Sequence, residues 1–279
     1  MKPSAEEWRA HLDACIAFAR LVEGAVAVPA TAGAPGSGSC FDVVALGTLV
    51  RSRRCAEAVR SLGKPYAYEA QILSRVLMEL YVNLRWILLR DTEKRAERFL
   101  AYTLLERHAT LEKTPEEERR ADHAALLASA NAAAASVKHL FRHKTKKGQL
   151  KVMGWALEEI QGKPGHARER KPTDRIDDVY SATPRTNLRM PYGYLSLAVH
   201  GAPHSLEYVL DQRDGKFVAR EVAGDEVFAL SLAAVQVRDV AALVAGHLAK
   251  KLEPELQALT EELDRLTGGD LLAQAGQGD

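Results

Sequence analysis

The chain predicts a mostly α-helical bundle with one small β-hairpin, and three observations carry that expectation. Apolar residues recur at helical spacing along most of the sequence. Helix start and stop signals punctuate it, at Ser4, Gly63 and Thr114–Pro115 among others. Alternating short runs about an Asp-Gly turn occur in one place, after Tyr208. With 279 residues, 47% of them apolar and 27% charged, the composition is that of a globular protein able to bury a substantial core. Segment 1–29 is expected as an N-terminal helix, 30–40 as a flexible linker, 41–267 as the helical domain and 268–279 as a disordered tail.

Taken in order, Ser4 followed by Glu6 and Glu7 marks a helix start with acids in the first turn. That helix continues through Trp8, Leu12, Ile16, Ala19 and Val22. Residues 30–39, ATAGAPGSGS, read as a Gly/Ser/Pro connection, and they lack the Gly-Lys-Ser/Thr ending of a phosphate-cradling loop. A second helix runs from about Phe41 to Leu62, with Arg51, Arg53, Arg54 and Arg60 as a solvated face.

The stretch Tyr66–Asp91 is the centre of the domain. Tyr66, Ala70, Leu73, Leu77, Leu80, Leu84 and Leu88 form one apolar stripe, and Ile72, Val76, Val82 and Trp86 fall on the other side. A helix apolar nearly all round is a buried helix. Set into its second face, one turn apart, are Arg75, Glu79 and Asn83.

Thereafter an amphipathic helix is expected from about Glu93 to Lys113, and an alanine-rich one from Thr114 to about His143. A shorter helix is expected from about Leu150 to Ile160. Residues 162–187, with three prolines and many charges, read as a long loop or lid. The segment 207–222 reads as the β-hairpin. A last long helix covers about Asp225 to Leu266, and Pro254 either kinks it or divides it.

Net charge near +1 gives no overall push toward nucleic acid or membrane, so any anion site must be local. Three cysteines, Cys15, Cys40 and Cys55, without C-x-x-C spacing, exclude a disulfide framework or zinc ribbon and fit a cytoplasmic location. No uncharged apolar run approaches the roughly 20 residues of a membrane helix. The pairs His139/His143 and His200/His204 have metal-compatible spacing but no carboxylate in register, so no metal and no cofactor are expected.

On one helical face, Tyr192, Ser196 and His200 lie four apart, and Gly201 and Pro203 end that helix. His200 in the last turn would be favoured in its protonated form by the exposed carbonyls. Arg75 holding an anion, Glu79 orienting His200, and Ser196 or Tyr192 donating a hydrogen bond would supply what metal-free phosphodiester cleavage needs. The same Arg–Glu–His–Ser network would serve equally as a structural device that fixes helix register.

Arg75-x3-Glu79-x3-Asn83, then Lys94–Tyr102 (KRAERFLAY), and later Tyr192-x3-Ser196-x3-His200-Gly201 resemble a bacterial domain family of unknown function, distantly similar to the HEPN helical domains. The resemblance spans roughly Phe41 to the final helix. It implies an up-and-down helical core with additional helices, a tendency to dimerise, and metal-independent RNase activity in bacterial stress or phage defence. HEPN proteins usually place an arginine with four to six residues between it and the histidine; those positions here hold Gly193, Tyr194 and Leu195, so Arg75 is the cation available from another helix. His200 is then the acid/base, Arg75 the anion stabiliser and Glu79 the orienting group, with Asn83, Ser196 and Tyr192 beside them. RNA is the expected substrate, and a homodimer or an antitoxin-like partner protein the expected assembly, with no membrane. The alternative is a non-catalytic helical module that binds a protein or a ligand.

Overall fold

The computed structural model describes residues 3–29, 39–145, 147–182, 192, 225–249 and 251–268, and the backbone of 210–213 and 216–219. Eight α-helices are present among them: α1 (Ala5–Ala25), α2 (Cys40–Leu62), α3 (Ala67–Leu88), α4 (Thr92–Lys113), α5 (His123–Val137), α6 (Pro172–Ala182), α7 (Glu226–Leu248) and α8 (Glu253–Thr267). Six short strands form three antiparallel pairs: β1 (Arg142–Lys144) with β2 (Leu150–Val152), β3 (Leu157–Glu159) with β4 (Ala167–Glu169), and β5 (Leu210–Arg213) with β6 (Lys216–Ala219). The mostly helical class is therefore observed, and β5–β6 is the expected hairpin.

The chain forms two compact units, one from 1–28, 45–89 and 175–279, the other from 29–44 and 90–174. The stretch 41–267 is thus distributed over both, and the N-terminal helix is part of the first.

In the first unit α1 opens with a capping box: Glu7 N–H donates to Ser4 Oγ at 3.2 Å, and Ser4 N–H to Glu7 Oε2 at 2.8 Å. Its buried stripe, Trp8, Leu12, Cys15, Ile16, Ala19 and Val22, packs on α7, which also packs on α3. Two arginines of the anticipated solvated face instead clasp α1 to α2. Arg53 donates to Glu23 at 2.6 Å and to Glu57 at 2.8 Å, and Arg60 donates to Asp13 at 2.9 Å. Arg51 and Arg54 are exposed as expected.

The apolar stripe of α3 is only partly sealed, with Ala70, Leu77 and Leu84 buried. Tyr66 is 55% exposed and Leu73, Leu80 and Leu88 are half-buried, whereas Gln71 and Ser74 are sealed against α7. Their small or polar side chains allow close approach, and they are satisfied there. Gln71 Nε2 donates to the Asp225 carbonyl at 3.3 Å, and Ser74 Oγ to the Ala70 and Ala229 carbonyls at 2.9 and 3.1 Å.

By length and composition α7 is apolar enough to cross a membrane, yet half of that stretch is buried within the unit and it carries Arg238 and Asp239 at its middle. The chain divides at Pro254, which sits in the first turn of α8 where a missing N–H costs nothing. Asp225 caps α7 by accepting from Phe228 N–H at 3.1 Å.

In the second unit Phe141, Val137, Ala101, Met153, Leu157 and Ala167 form the core beneath Tyr102, Leu105 and Trp155. Glu93 of α4 accepts from Cys40 and Phe41 N–H at 3.0 and 3.4 Å, capping the start of α2.

Three sequence expectations are corrected here. The helix from Thr114 to His143 starts at His123, after a 3₁₀ turn at Glu116–Glu118, and gives way at Lys138 to a second 3₁₀ turn. The helix expected over 150–160 is two strands, because Leu150-Lys-Val152 alternates and pairs with Arg142–Lys144 across the turn at Gly148 (φ 80°). The loop at 162–187 contains β4 and α6. Pro172 opens α6, and Asp174 Oδ2 accepts from Lys171 N–H at 2.9 Å.

Candidate functional site

The polar row on α3 is the place where this helix departs from an apolar surface. Arg75 is buried, 7% exposed, and its guanidinium lies over the Tyr192 ring at 4.9 Å. Arg75 Nη2 donates to Glu79 Oε1 at 3.0 Å and to the Tyr192 hydroxyl oxygen at 3.1 Å. The Tyr192 hydroxyl in turn donates to the same Glu79 oxygen at 3.3 Å. The three groups close a triangle, and the spacing of four residues along one helix is what brings the first two together.

The triangle is sealed at one end and open at the other. Tyr192 is 8% exposed, while the Glu79 side chain is 41% exposed and reaches solvent. Arg75 Nε and Nη1 are buried with no hydrogen-bond partner among the described residues. A buried cation with two orphaned donors is costly, and an anion brought to it would relieve that cost.

Asn83 does not join the triangle. Its Oδ1 accepts from Arg175 Nε at 3.1 Å, and one turn further Trp86 Nε1 donates to Asp178 Oδ2 at 3.1 Å. These two bonds tie α6 to α3. Arg175 and Asp178 escaped the sequence reading because their helix was taken for a loop, although Pro172, Asp174 and the Ile176/Val179 spacing signal a helix start. Ser196 and His200, and the helix expected to carry them, lie outside the described residues. His139 and His143 do not share a helical face: one lies in a 3₁₀ turn, the other in β1, where its Nε2 meets the Leu140 carbonyl at 3.0 Å.

A second polar group lies between α1, α3 and α7, where Arg238 and Asp239 are half-buried beside the buried His11, Cys15 and Tyr81. Arg238 Nε and Nη2 donate to Asp239 Oδ1 at 2.9 and 2.5 Å. Burial pushes the Asp239 carboxyl up, and Arg238 and Arg85 only partly pull it back. Burial also pushes the Tyr81 phenol and the Cys15 thiol up, each to about 12. His11, whose Nε2 lies 3.7 Å from Cys15 Sγ, is held below its ordinary value by burial first and by Arg238 second. Every one of these shifts favours the neutral form, so the group is poor at acid–base or nucleophilic work near neutrality.

A family model described as a family of unknown function, DUF5677, matches residues 42–217. The match contains Arg75, Glu79, Asn83, Tyr192, Ser196 and His200. No curated protein and no solved structure matches the chain.

Proposed function

We propose, from the premise that the chain belongs to the DUF5677 family, that Arg75 is the anion-holding centre of a metal-independent endoribonuclease site in a HEPN-like bacterial effector. The observation that carries this reading is the pair of buried donors on Arg75 that have no partner among the described residues, beside a carboxylate and a phenol that fix the guanidinium in place. In the reaction the 2′-hydroxyl of a ribose attacks the adjacent phosphorus, the P–O5′ bond breaks, and a cyclic phosphate and a 5′-hydroxyl result. His200 takes the proton from the attacking oxygen and returns one to the leaving oxygen. Arg75 neutralises the charge that grows on the non-bridging oxygens. Glu79 holds Arg75 and, in this reading, orients His200, with Ser196 and Tyr192 as hydrogen-bond donors. A cytoplasmic effector of stress or phage defence, acting as a homodimer or under an antitoxin-like partner, is the setting that accompanies this activity.

A second reading has its own support. Asn83–Arg175 and Trp86–Asp178 are helix-fixing bonds on the same face of α3. They favour a non-catalytic module in which the row sets register. The two are separated by incubating total RNA and tRNA with the protein in EDTA, alone and with cell extract. Cleavage by the wild type, lost in both His200→Ala and Arg75→Met proteins of unchanged circular dichroism, is the expected result. No cleavage by the wild type leaves the binding module as the function, and equal cleavage by the variants removes Arg75 and His200 from the site.

A further inference from the structure

In the second unit the acids of β3 are already matched. Glu158 receives Arg90, Arg168 and Arg170, and Glu159 receives Lys94 and Arg98. Among the described residues the β1–β2 ribbon has no such neutralisation. Between Asp122 and Glu158 the sequence holds six Lys or Arg (Lys138, Arg142, Lys144, Lys146, Lys147 and Lys151) and no acid, in a chain whose net charge is +1. Arg142, Lys144, Lys147 and Lys151 are exposed and form no ion pair among the described residues.

Register distributes these charges. Arg142 lies opposite Val152 and Lys144 opposite Leu150, so these four share one face, while His143 and Lys151 share the other. Leu150 and Val152 are 62% and 48% exposed. Met153 N–H bonds to the Phe141 carbonyl at 3.0 Å and Thr145 N–H to the Gln149 carbonyl at 2.8 Å. The alternation of an antiparallel ladder then turns the backbone groups of Leu150 and Val152 away from β1, along an edge with no strand beside it among the described residues.

We propose that the β1–β2 ribbon is a contact surface for the phosphate backbone of a single-stranded nucleic acid. Arg142, Lys144 and Lys151 meet phosphates, and Leu150 and Val152 pack against the sugars between them. Arg142 and Lys144, two residues apart on one strand, are separated by about 6.7 Å, a step comparable to that between consecutive phosphates of an extended strand. Cations on both faces suit a chain that wraps the ribbon, whereas a lipid surface would meet one face and find only two aliphatic side chains to anchor. The ribbon carries no Phe, Tyr or Trp for stacking, so it reads no base. The proposal goes beyond the ribonuclease reading, and it stands or falls on binding rather than on cleavage.

The test is fluorescence anisotropy of a labelled 2′-O-methyl oligouridylate, which lacks the attacking hydroxyl, with the full chain in EDTA over a salt series. Each lost phosphate contact lowers the slope of log K against log salt by about 0.7 for a single strand. The triple variant Arg142→Gln/Lys144→Gln/Lys151→Gln should therefore show a slope shallower by about 2 and an affinity about 100-fold lower near 0.1 M salt. Each single substitution should cost about fivefold, with the thermal midpoint unchanged because all three side chains are exposed. Three results would overturn the proposal: no binding by the wild type, wild-type binding by the triple variant, or wild-type binding to phosphatidylserine vesicles in place of the oligonucleotide. Ribbon-dependent binding by a wild type that cleaves no ordinary RNA would leave the contact surface intact and remove the ribonuclease reading alone.

Discussion

Replacing Arg75 by methionine separates a site from a strut, because the two roles demand opposite signs of stability change. The side chain makes one ion pair with the solvent-reaching Glu79, one charged hydrogen bond to Tyr192 and one ring contact. Their loss costs roughly 0.5, 1.5 and 1 kcal/mol. Against this stand two buried nitrogens without partners among the described residues, each carrying a desolvation penalty of about 1–3 kcal/mol. Methionine fills similar space without polar atoms, and Tyr192 keeps its bond to Glu79. The balance predicts that Arg75→Met is neutral to about 2 kcal/mol more stable than the wild type, because the Glu79 carboxylate left behind reaches solvent and is not stranded as a buried charge. Urea unfolding with an unchanged m-value measures it directly. Inorganic phosphate should raise the wild-type midpoint and leave that of the variant still, by about 2.7 kcal/mol at a concentration 100 times the dissociation constant. A loss of more than about 2 kcal/mol in the variant, with no phosphate effect in the wild type, would refute the reasoning and make Arg75 a register device.

Two further outcomes follow from the second buried group. Because the folded state holds the His11 pKa below its ordinary 6.5, unfolding takes up a proton in acid. The stability His11 permits is complete above pH 6.5 and is lost as pH falls toward its folded value, with a slope approaching about 1.4 kcal/mol per pH unit. His11→Gln should flatten that part of the pH–stability curve, and an unchanged curve would assign the acid sensitivity elsewhere. The Cys15 thiol, fully buried and pushed up to about 12, should react with Ellman's reagent only as fast as the protein unfolds, while half-buried Cys55 reacts first; mass mapping that finds Cys15 labelled early would contradict this.

The helices of the first unit were legible because their periodicity and caps agree: Ser4 and Glu7, Gly63, Asp225 and Pro254 all act where the sequence places them. The Arg75–Glu79 pair was legible for the same reason, since residues four apart on a helix must meet. Tyr192 is grouped with that pair in sequence as a hydrogen-bond donor, but its bond to Glu79 spans 113 residues and no local pattern announces it. What escaped was non-local. Leu150–Val152 and Leu157–Glu159 are runs of three, too short for periodicity to tell strand from helix, and only their partners at 142–144 and 167–169 decide. The tie from Asn83 to Arg175 spans 92 residues, and no local pattern announces it. Nor does hydropathy reveal that Gln71 and Ser74, rather than Leu73 and Leu80, face α7; carbonyls on the neighbouring helix make the polar side the better fit.

The pairing of α1 with α7 has a consequence for how the chain leaves the ribosome. Arg9 and Glu226, joined in the finished fold, are 217 residues apart. At the usual pace of about 5–20 residues per second, that separation is about 10–40 s of synthesis. Throughout that interval Trp8, Leu12, Ile16 and Val22 have been made and the surface that will cover them has not. α3, whose partner is the same helix, waits for a shorter time behind it. The first unit is thus a fold whose keystone arrives late, and the apolar stripe of α1 stays uncovered until residues 226–248 emerge.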